Sequence, residues 1–187
     1  YLISLGVKPD KGTLYQASRY GNWKSSKCLI DLGIGPDKET LDLGSRNGNL
    51  ELVMYLINYG IKPNTYTLNN ASESGNLELV KYLIGLGIEP YYNILNYASQ
   101  SGNLELVKYL ISLGSAEANY YASHMSCVKK GNLEIVKCLI SLGLISEKNA
   151  LNNAIFDGNL EVIEYLIGLG IGQDVVTIDI INNNSNL

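Results

Sequence analysis

Two hydrophobic patterns of unequal strength alternate along the chain. The stronger is "NLELVKYLI", found at residues 76–84 and again at residues 103–111. Leu77, Val80, Leu83 and Ile84 fall at 0, 3, 6 and 7, the spacing of one helical face. Leu79, Tyr82 and Leu86 make a second stripe, so the predicted helix is apolar over much of its circumference. That suits a helix sandwiched between neighbours. The weaker pattern precedes it. In "PNTYTLNNASES" the inward positions are Leu68 and Ala71, three apart, and the predicted helix runs to about Ser74. Pro63 punctuates the entry, and Asn64 and Asn76 are the predicted N-caps of the two helices. Gly75 between them offers the left-handed conformation that ends a helix at low cost. Glu78 sits in the second helix's first turn, where the dipole favours negative charge. Gly87 closes the unit.

This pair of patterns recurs. The glycine of the Gly-Asn step stands at Gly21, Gly48, Gly75, Gly102, Gly131 and Gly158, with gaps of 27, 27, 27, 29 and 27. A fixed period in this range marks a repeat architecture. The units read as 7–33, 34–60, 61–87, 88–114, 115–143 and 144–170, forming a single repeat array over residues 1–187. Residues 1–6, "YLISLG", match the tail of a unit, and 171–187 begin a further one, so the chain reads as part of something longer. One slot of the first helix holds only small residues: Ala17, Gly44, Ala71, Ala98, Cys127 and Ala154. A second helix is expected to cross closely there. One such pair cannot bury its own apolar surface, whereas a stack of them builds a continuous core.

These residues resemble ankyrin repeats, whose pattern runs T-P-L-H-x-A-A-x-x-G-H-L-E-[IV]-V-K-x-L-L-x-x-G-A-D. The matching stretches are "LNNASESGNLELVKYLIGLG" from Leu68 and "LNYASQSGNLELVKYLISLG" from Leu95. Leu68 and Ala71 fall on the family's L and A positions, and Gly75-Asn76 replaces Gly-His. The units depart from the family in length, being 27 residues where an ankyrin unit has about 33. The shortfall lies where the family places its β-hairpin, and "GIKPNTYTL" leaves no room for a projecting finger. The resemblance therefore implies an all-α, helix-turn-helix solenoid of ankyrin type with shortened or absent β-hairpins. The Asn- and Tyr-rich composition is also similar to ankyrin arrays encoded by giant DNA viruses of amoebae.

Composition narrows the function. Hydrophobic residues make up 46% and charged residues 17% of the 187, as in a folded domain. Net charge is −4 and the sequence pI near 5.0. Lys129-Lys130 is the only adjacent basic pair, so a nucleic-acid partner is not expected. No apolar run reaches the roughly 18 residues of a membrane span. Cys28 and Cys138 occupy the same slot four repeats apart, which places them about 30–40 Å apart in a stack and out of disulfide reach. Cys127 and Cys138 read as buried free thiols of a reducing compartment. The implied location is intracellular: cytoplasm, or virion if the source is viral.

Chemistry is sparse. His124 is the single histidine, no C-x-x-C occurs, and neither a metal nor a cofactor is expected. "GLGIG" at 168–172 follows a predicted helix rather than a strand, so a dinucleotide reading fails on context. The sequon at Asn70 lies mid-helix beside a core alanine. The Tyr slot of the second helix (Tyr55, Tyr82, Tyr109, Tyr165) reads as packing. No catalytic residues or small-molecule substrate are expected. What remains is recognition by the varied slots. The two positions before each Gly-Asn vary most: Arg19-Tyr20, Arg46-Asn47, Glu73-Ser74, Gln100-Ser101, Lys129-Lys130 and Phe156-Asp157. In ankyrin repeats the matching positions lie on the concave face and contact partners. Loop positions Tyr66, Tyr91 and Tyr92 join them as candidate anchors. The sequence thus reads as a non-enzymatic protein-interaction module, with a structural role in a larger assembly such as a viral particle as the alternative. Two units break rank, and either irregularity would localise a partner. Unit 115–143 inserts two residues and brings Tyr120-Tyr121. Unit 7–33 departs in composition. Residues 23–26 are Trp-Lys-Ser-Ser where others carry Leu-Glu-Leu-Val, which weakens packing unless that side meets another protein or a degenerate neighbour.

Overall fold

The computed structural model describes residues 8–91, 93–114 and 132–172, and within them eleven helices and no strand. They fall in two compact units divided between Tyr91 and Tyr92. The first holds α1 (Lys11–Arg19), α2 (Trp23–Asp31), α3 (Lys38–Arg46), α4 (Leu50–Asn58), α5 (Thr65–Ser74) and α6 (Leu77–Gly85). The second holds α7 (Ile94–Ser101), α8 (Leu104–Ser112), α9 (Leu133–Ser141), α10 (Glu147–Asp157) and α11 (Leu160–Gly168). The pairs α1/α2, α3/α4, α5/α6, α7/α8 and α10/α11 are each joined by a tight Gly-Asn turn, the all-α repeat that the periodicity implies. The unit around Cys127 and His124 lies largely outside the described residues.

Local chemistry starts and stops these helices where the sequence places the signals. Asp10, Asp37 and Asn64 accept from the backbone N–H of Thr13, Thr40 and Thr67 at 2.9–3.1 Å. Each threonine returns a bond to the cap residue's own N–H, closing a capping box. The described second helices other than α9 are capped by the asparagine of Gly-Asn, with Asn49, Asn76 and Asn103 accepting from Leu52, Leu79 and Leu106 at 3.0 Å. Gly75 sits at φ +76°, as a left-handed C-cap requires.

Burial sharpens the two expected stripes into one. On α6 the buried residues are Leu79, Val80 and Leu83. Leu77 and Ile84 are half-buried, and Leu86 is 49% exposed, because it lies past the last helical turn, at the C-cap. The first helices are more enclosed than their weak pattern suggests. On α5 Leu68 and Ala71 are fully buried, together with Thr67 and Ser72. Ser18, Ser45 and Ser72 recur beside the small slot and are also fully buried. Each donates its hydroxyl to the carbonyl four residues back, at 2.8–2.9 Å, so none of these three hydroxyls is stranded.

In the first unit, first helices pack on first helices (α1 on α3, α3 on α5) and α2 on α4. Polar ties reinforce the stack. The Tyr15 hydroxyl donates to Asp37 at 2.7 Å, and Lys11 pairs with the same carboxylate. Burial alone would raise the Asp37 pKa, but bonds from Lys11, Tyr15 and Thr40 outweigh it and hold the carboxyl well below its ordinary value. The Tyr slot is packing, as expected: Tyr55 is half-buried and bonds Asp31 of the preceding helix pair at 2.9 Å. Asp42, Lys38 and Thr67 form a further tie between α3 and α5.

The small slot is where the two helices of a pair approach most closely. A Cβ added at Gly44 would stand 3.1 Å from a Leu52 methyl. The equivalent pair Ala71 and Leu79 already coexists, fully buried, one repeat later. Leu52 has only its flexible end to move. Gly44→Ala is therefore expected to stabilise the chain by about 0.5–1 kcal/mol through reduced backbone freedom. Urea unfolding measures this, and a loss of stability would show that Leu52 cannot yield.

Candidate protein-interaction site

The Gly-Asn turn organises the surface the sequence singles out. Its asparagine does two things at once. While the Oδ1 of Asn76 caps α6, its Nδ2 donates to the Gly48 carbonyl of the preceding repeat at 2.7 Å. Asn49 makes the same donation to Gly21 at 2.8 Å, while Asn132 donates to Ser99 at 2.9 Å without capping its own helix. A carboxamide offers an acceptor and a donor on two separate atoms, whereas an aspartate carboxylate only accepts. Asn76→Ala loses cap and tie together and is expected to cost about 2 kcal/mol, whereas Asn76→Asp keeps the cap and costs about 1. In chemical denaturation, no loss for Asn76→Asp would mean that the tie to Gly48 contributes nothing, and equal losses for the two variants would mean that the cap contributes nothing.

These ties hold the ends of the first helices in a fixed row within the first unit. Arg19 and Tyr20 end α1, and Tyr20 is 78% exposed. The Asn47 carboxamide donates to the Arg19 carbonyl at 3.0 Å. Arg46 is oriented by the Tyr66 hydroxyl and the Asn70 Oδ1, both 3.1 Å from its Nη2, with Glu73 4.0 Å from its Nε. Its guanidinium remains about half exposed. Tyr66 lies in the first turn of α5 rather than in a loop, because Asn64 starts that helix two residues earlier. Its ring is 51% exposed, so the row presents Arg19, Tyr20, Arg46 and Tyr66 together.

Two of the varied positions also carry local structure. Ser74 donates to the Ala71 carbonyl at 2.6 Å and lies against Gly48, where an added Cβ would meet its Oγ at 3.0 Å. Ser101 repeats the first contact with Ala98 at 2.7 Å and accepts from the Asn103 N–H at 3.1 Å. In the second unit Gln100 is half-buried, Phe156 is 85% exposed and Asp157 is half-buried. Tyr91 is 56% exposed. Tyr92, Lys129 and Lys130 lie outside the described residues.

Cys138, expected to be buried, is a half-buried free thiol; Cys28 is an exposed one, and Cys127 is outside the described residues. Among the described residues, no group of three or more His, Cys, Asp or Glu side chains converges as a metal site. No described helix is long and apolar enough to cross a membrane.

The sequence leaves one feature unresolved, the Trp-Lys-Ser-Ser break. Ser26 is fully buried, with its hydroxyl bonded to the Asn22 carbonyl at 3.1 Å and 3.2 Å from the Ser18 hydroxyl. Ser25, in the slot filled elsewhere by Leu52, Leu79 and Leu106, lines an open groove of about 480 Å³ on α1 and α2.

Comparison with known proteins agrees with this architecture. No curated protein matches the sequence. Among solved structures 209 chains match. One is the crystal structure of the human ASB11 ankyrin repeat domain, with TM-score 0.61 and 20% identity over 85% of this chain and 84% of that one. At that identity the likeness concerns the fold. The family model described as ankyrin repeats (3 copies) matches residues 68–144 and 95–179, which together span more than half of the sequence. Helix pairs, glycine turns and the family match converge, and the chain belongs to the ankyrin-repeat family, whose arrays are protein-interaction modules.

Proposed function

We propose that this chain binds a protein partner through the face made by the ends of its first helices, the concave side in this family, and that it does so without catalysis. The observation that supports this is the preorganised row Arg19, Tyr20, Arg46 and Tyr66: exposed side chains on a backbone that Asn47, Asn49 and Asn76 tie from repeat to repeat. Arginine and tyrosine give large contact area at low ordering cost, and Arg46 is already oriented by its neighbours. Gln100, Ser101, Phe156 and Asp157 extend the reading to the second unit, and Lys129, Lys130, Tyr91 and Tyr92 belong to the same set by repeat position. The units at 7–33, 34–60, 61–87, 88–114, 115–143 and 144–170 then act as one array.

Affinity capture with mass spectrometry tests this on the wild type and on a variant carrying Arg46→Ala, Tyr66→Ala, Gln100→Ala and Phe156→Ser. Circular dichroism confirms that both are helical. The expected result is a partner held by the wild type and lost from the variant. Capture of the same proteins by both would remove this face as the interface and favour a structural role in a larger assembly.

A further inference from the structure

The glycine of each Gly-Asn turn is demanded by its backbone, but the residue before it is not. That slot holds Tyr20, Asn47, Ser74, Ser101, Lys130 and Asp157. Only Asn47 makes an Asn-Gly step, and the chain has no other. Such a step is chemically reactive. The backbone nitrogen of the glycine can attack the asparagine Cγ, because no side chain shields it and the glycine backbone turns freely. A C–N bond forms, the carboxamide nitrogen leaves as ammonia, and a cyclic imide results. Water then opens the ring at either carbonyl. One opening gives aspartate, and the other gives isoaspartate, in which the backbone runs through the side-chain methylene. Nothing is oxidised or reduced, and water is the only co-reactant.

The fold holds every participant away from this reaction. The Gly48 N–H is occupied, donating to the Ser45 carbonyl at 3.0 Å. Asn47 is the C-cap of α3 with ψ −8°, and ring closure needs that torsion to swing well away from its helical value, so that the Gly48 nitrogen meets Cγ. The Asn47 carboxamide is turned to the preceding repeat. Its Nδ2 donates to the Arg19 carbonyl at 3.0 Å, and its Oδ1 lies so close over Gly21 that no side chain fits between them. From the following repeat, Asn76 fixes the Gly48 carbonyl at 2.7 Å. Asn47 is nonetheless exposed, so water reaches it. We propose that Asn47-Gly48 is a latent deamidation site, closed by its ties to the repeats on both sides and opened when this junction unfolds locally. The conversion is one-way. Isoaspartate lengthens the backbone at a helix C-cap, and either product replaces the donor that meets the Arg19 carbonyl with an acceptor. The turn is then not rebuilt as it was, and an opening long enough for ring closure leaves a covalent mark on the first unit. This follows from the turn alone and holds whether or not the neighbouring row binds a partner.

The test incubates the full chain in mildly alkaline buffer, folded and in concentrated urea. Peptide mass spectrometry follows Asn47, and an isoaspartyl methyltransferase with labelled S-adenosylmethionine detects isoaspartate. Conversion at Asn47 is expected in both samples, at least about tenfold slower in the folded chain. Asn76→Asp removes the tie to the Gly48 carbonyl without touching the reacting residues. It is expected to speed conversion of the folded chain about fivefold and to leave the rate in urea unchanged. Asn47→Asp separates the added charge from the lengthened backbone. The wild type, aged in urea and refolded, is expected to melt below this variant treated identically, because its isoaspartate content is the higher. The proposal is overturned if Asn47 reacts equally fast folded and unfolded, since the turn then gives no protection, or if it does not react in urea. It is also overturned if Asn76→Asp leaves the folded rate unchanged, because the junction is then not the gate. An aged wild type that melts with Asn47→Asp would overturn the one-way step, since the turn would then accommodate isoaspartate.

Discussion

Leu68→Ala is expected to lower stability by about 2–5 kcal/mol, because it removes a core side chain and leaves a cavity in its place. Leu68 lies in the middle of α5 and is fully buried. The backbone beneath it is held by the Ser72 hydroxyl, which donates to its carbonyl at 2.9 Å, and by the Leu68 N–H bond to Asn64 at 3.1 Å. A cavity left there cannot be closed by moving the helix. α5 packs on α3 and on α6, so the loss weakens contacts on two sides at once. In a repeat protein stability is roughly a sum of repeat and junction contributions, so a damaged junction lowers the cooperativity of unfolding as well as its midpoint. Urea unfolding followed by far-UV circular dichroism measures both. Leu86→Ala serves as the control: 49% exposed at a C-cap, it should change stability by no more than about 0.5 kcal/mol. If the two variants behave alike, the assignment of the core to the Leu68 layer is wrong.

Gly48→Ala is expected to cost about 2–4 kcal/mol, from two separate causes. The residue sits at φ +72°, where a side chain is strained. The added Cβ would also stand 3.0 Å from the Ser74 Oγ, 3.2 Å from the Ser74 Cβ and 3.3 Å from the Asn76 Cβ. Both neighbours are committed: Ser74 to the Ala71 carbonyl, Asn76 to the carbonyl of Gly48 itself. Gly60→Ala isolates the backbone part, because Gly60 has φ +110° and nothing within 4 Å of an added Cβ. It should lose only about 1–2 kcal/mol. The difference between the two thermal or urea midpoints measures the crowding at the repeat junction. If there is no difference, Ser74 and Asn76 move aside freely, and the turn is looser than its hydrogen bonds imply.

The repeating glycines, the capping residues and the small slot are legible in the sequence because each answers a local demand. Gly75 ends a helix in the left-handed region, Asn76 caps the next, and Ala71 leaves room for a neighbour. The same residue types are needed at every turn of the same kind, so period and helix boundaries follow from composition at fixed spacing. The varied positions are legible as a set but not in their roles. Arg46 and Asn47 are adjacent in sequence, yet one presents a guanidinium oriented by Tyr66 while the other ties back to Arg19. Tyr66 reads as a loop residue because it follows Pro63 closely, and the capping box at Asn64 places it on the helix instead.

By itself the sequence determined the helix-pair repeat, its family and the location of its irregular unit, since these depend on contacts within about one period. Only the tertiary structure decided which apolar stripe is core, leaving Leu86 at the surface while Leu79, Val80 and Leu83 are enclosed. It alone showed that the Gly-Asn asparagine reaches the preceding repeat, and that Ser25 lines an open groove rather than a repacked core. The reason is physical: a helical period states which residues share a face, but burial depends on which neighbouring helix that face meets. A missing side chain becomes an opening only when the surrounding backbone, held by its caps and ties, does not close over it.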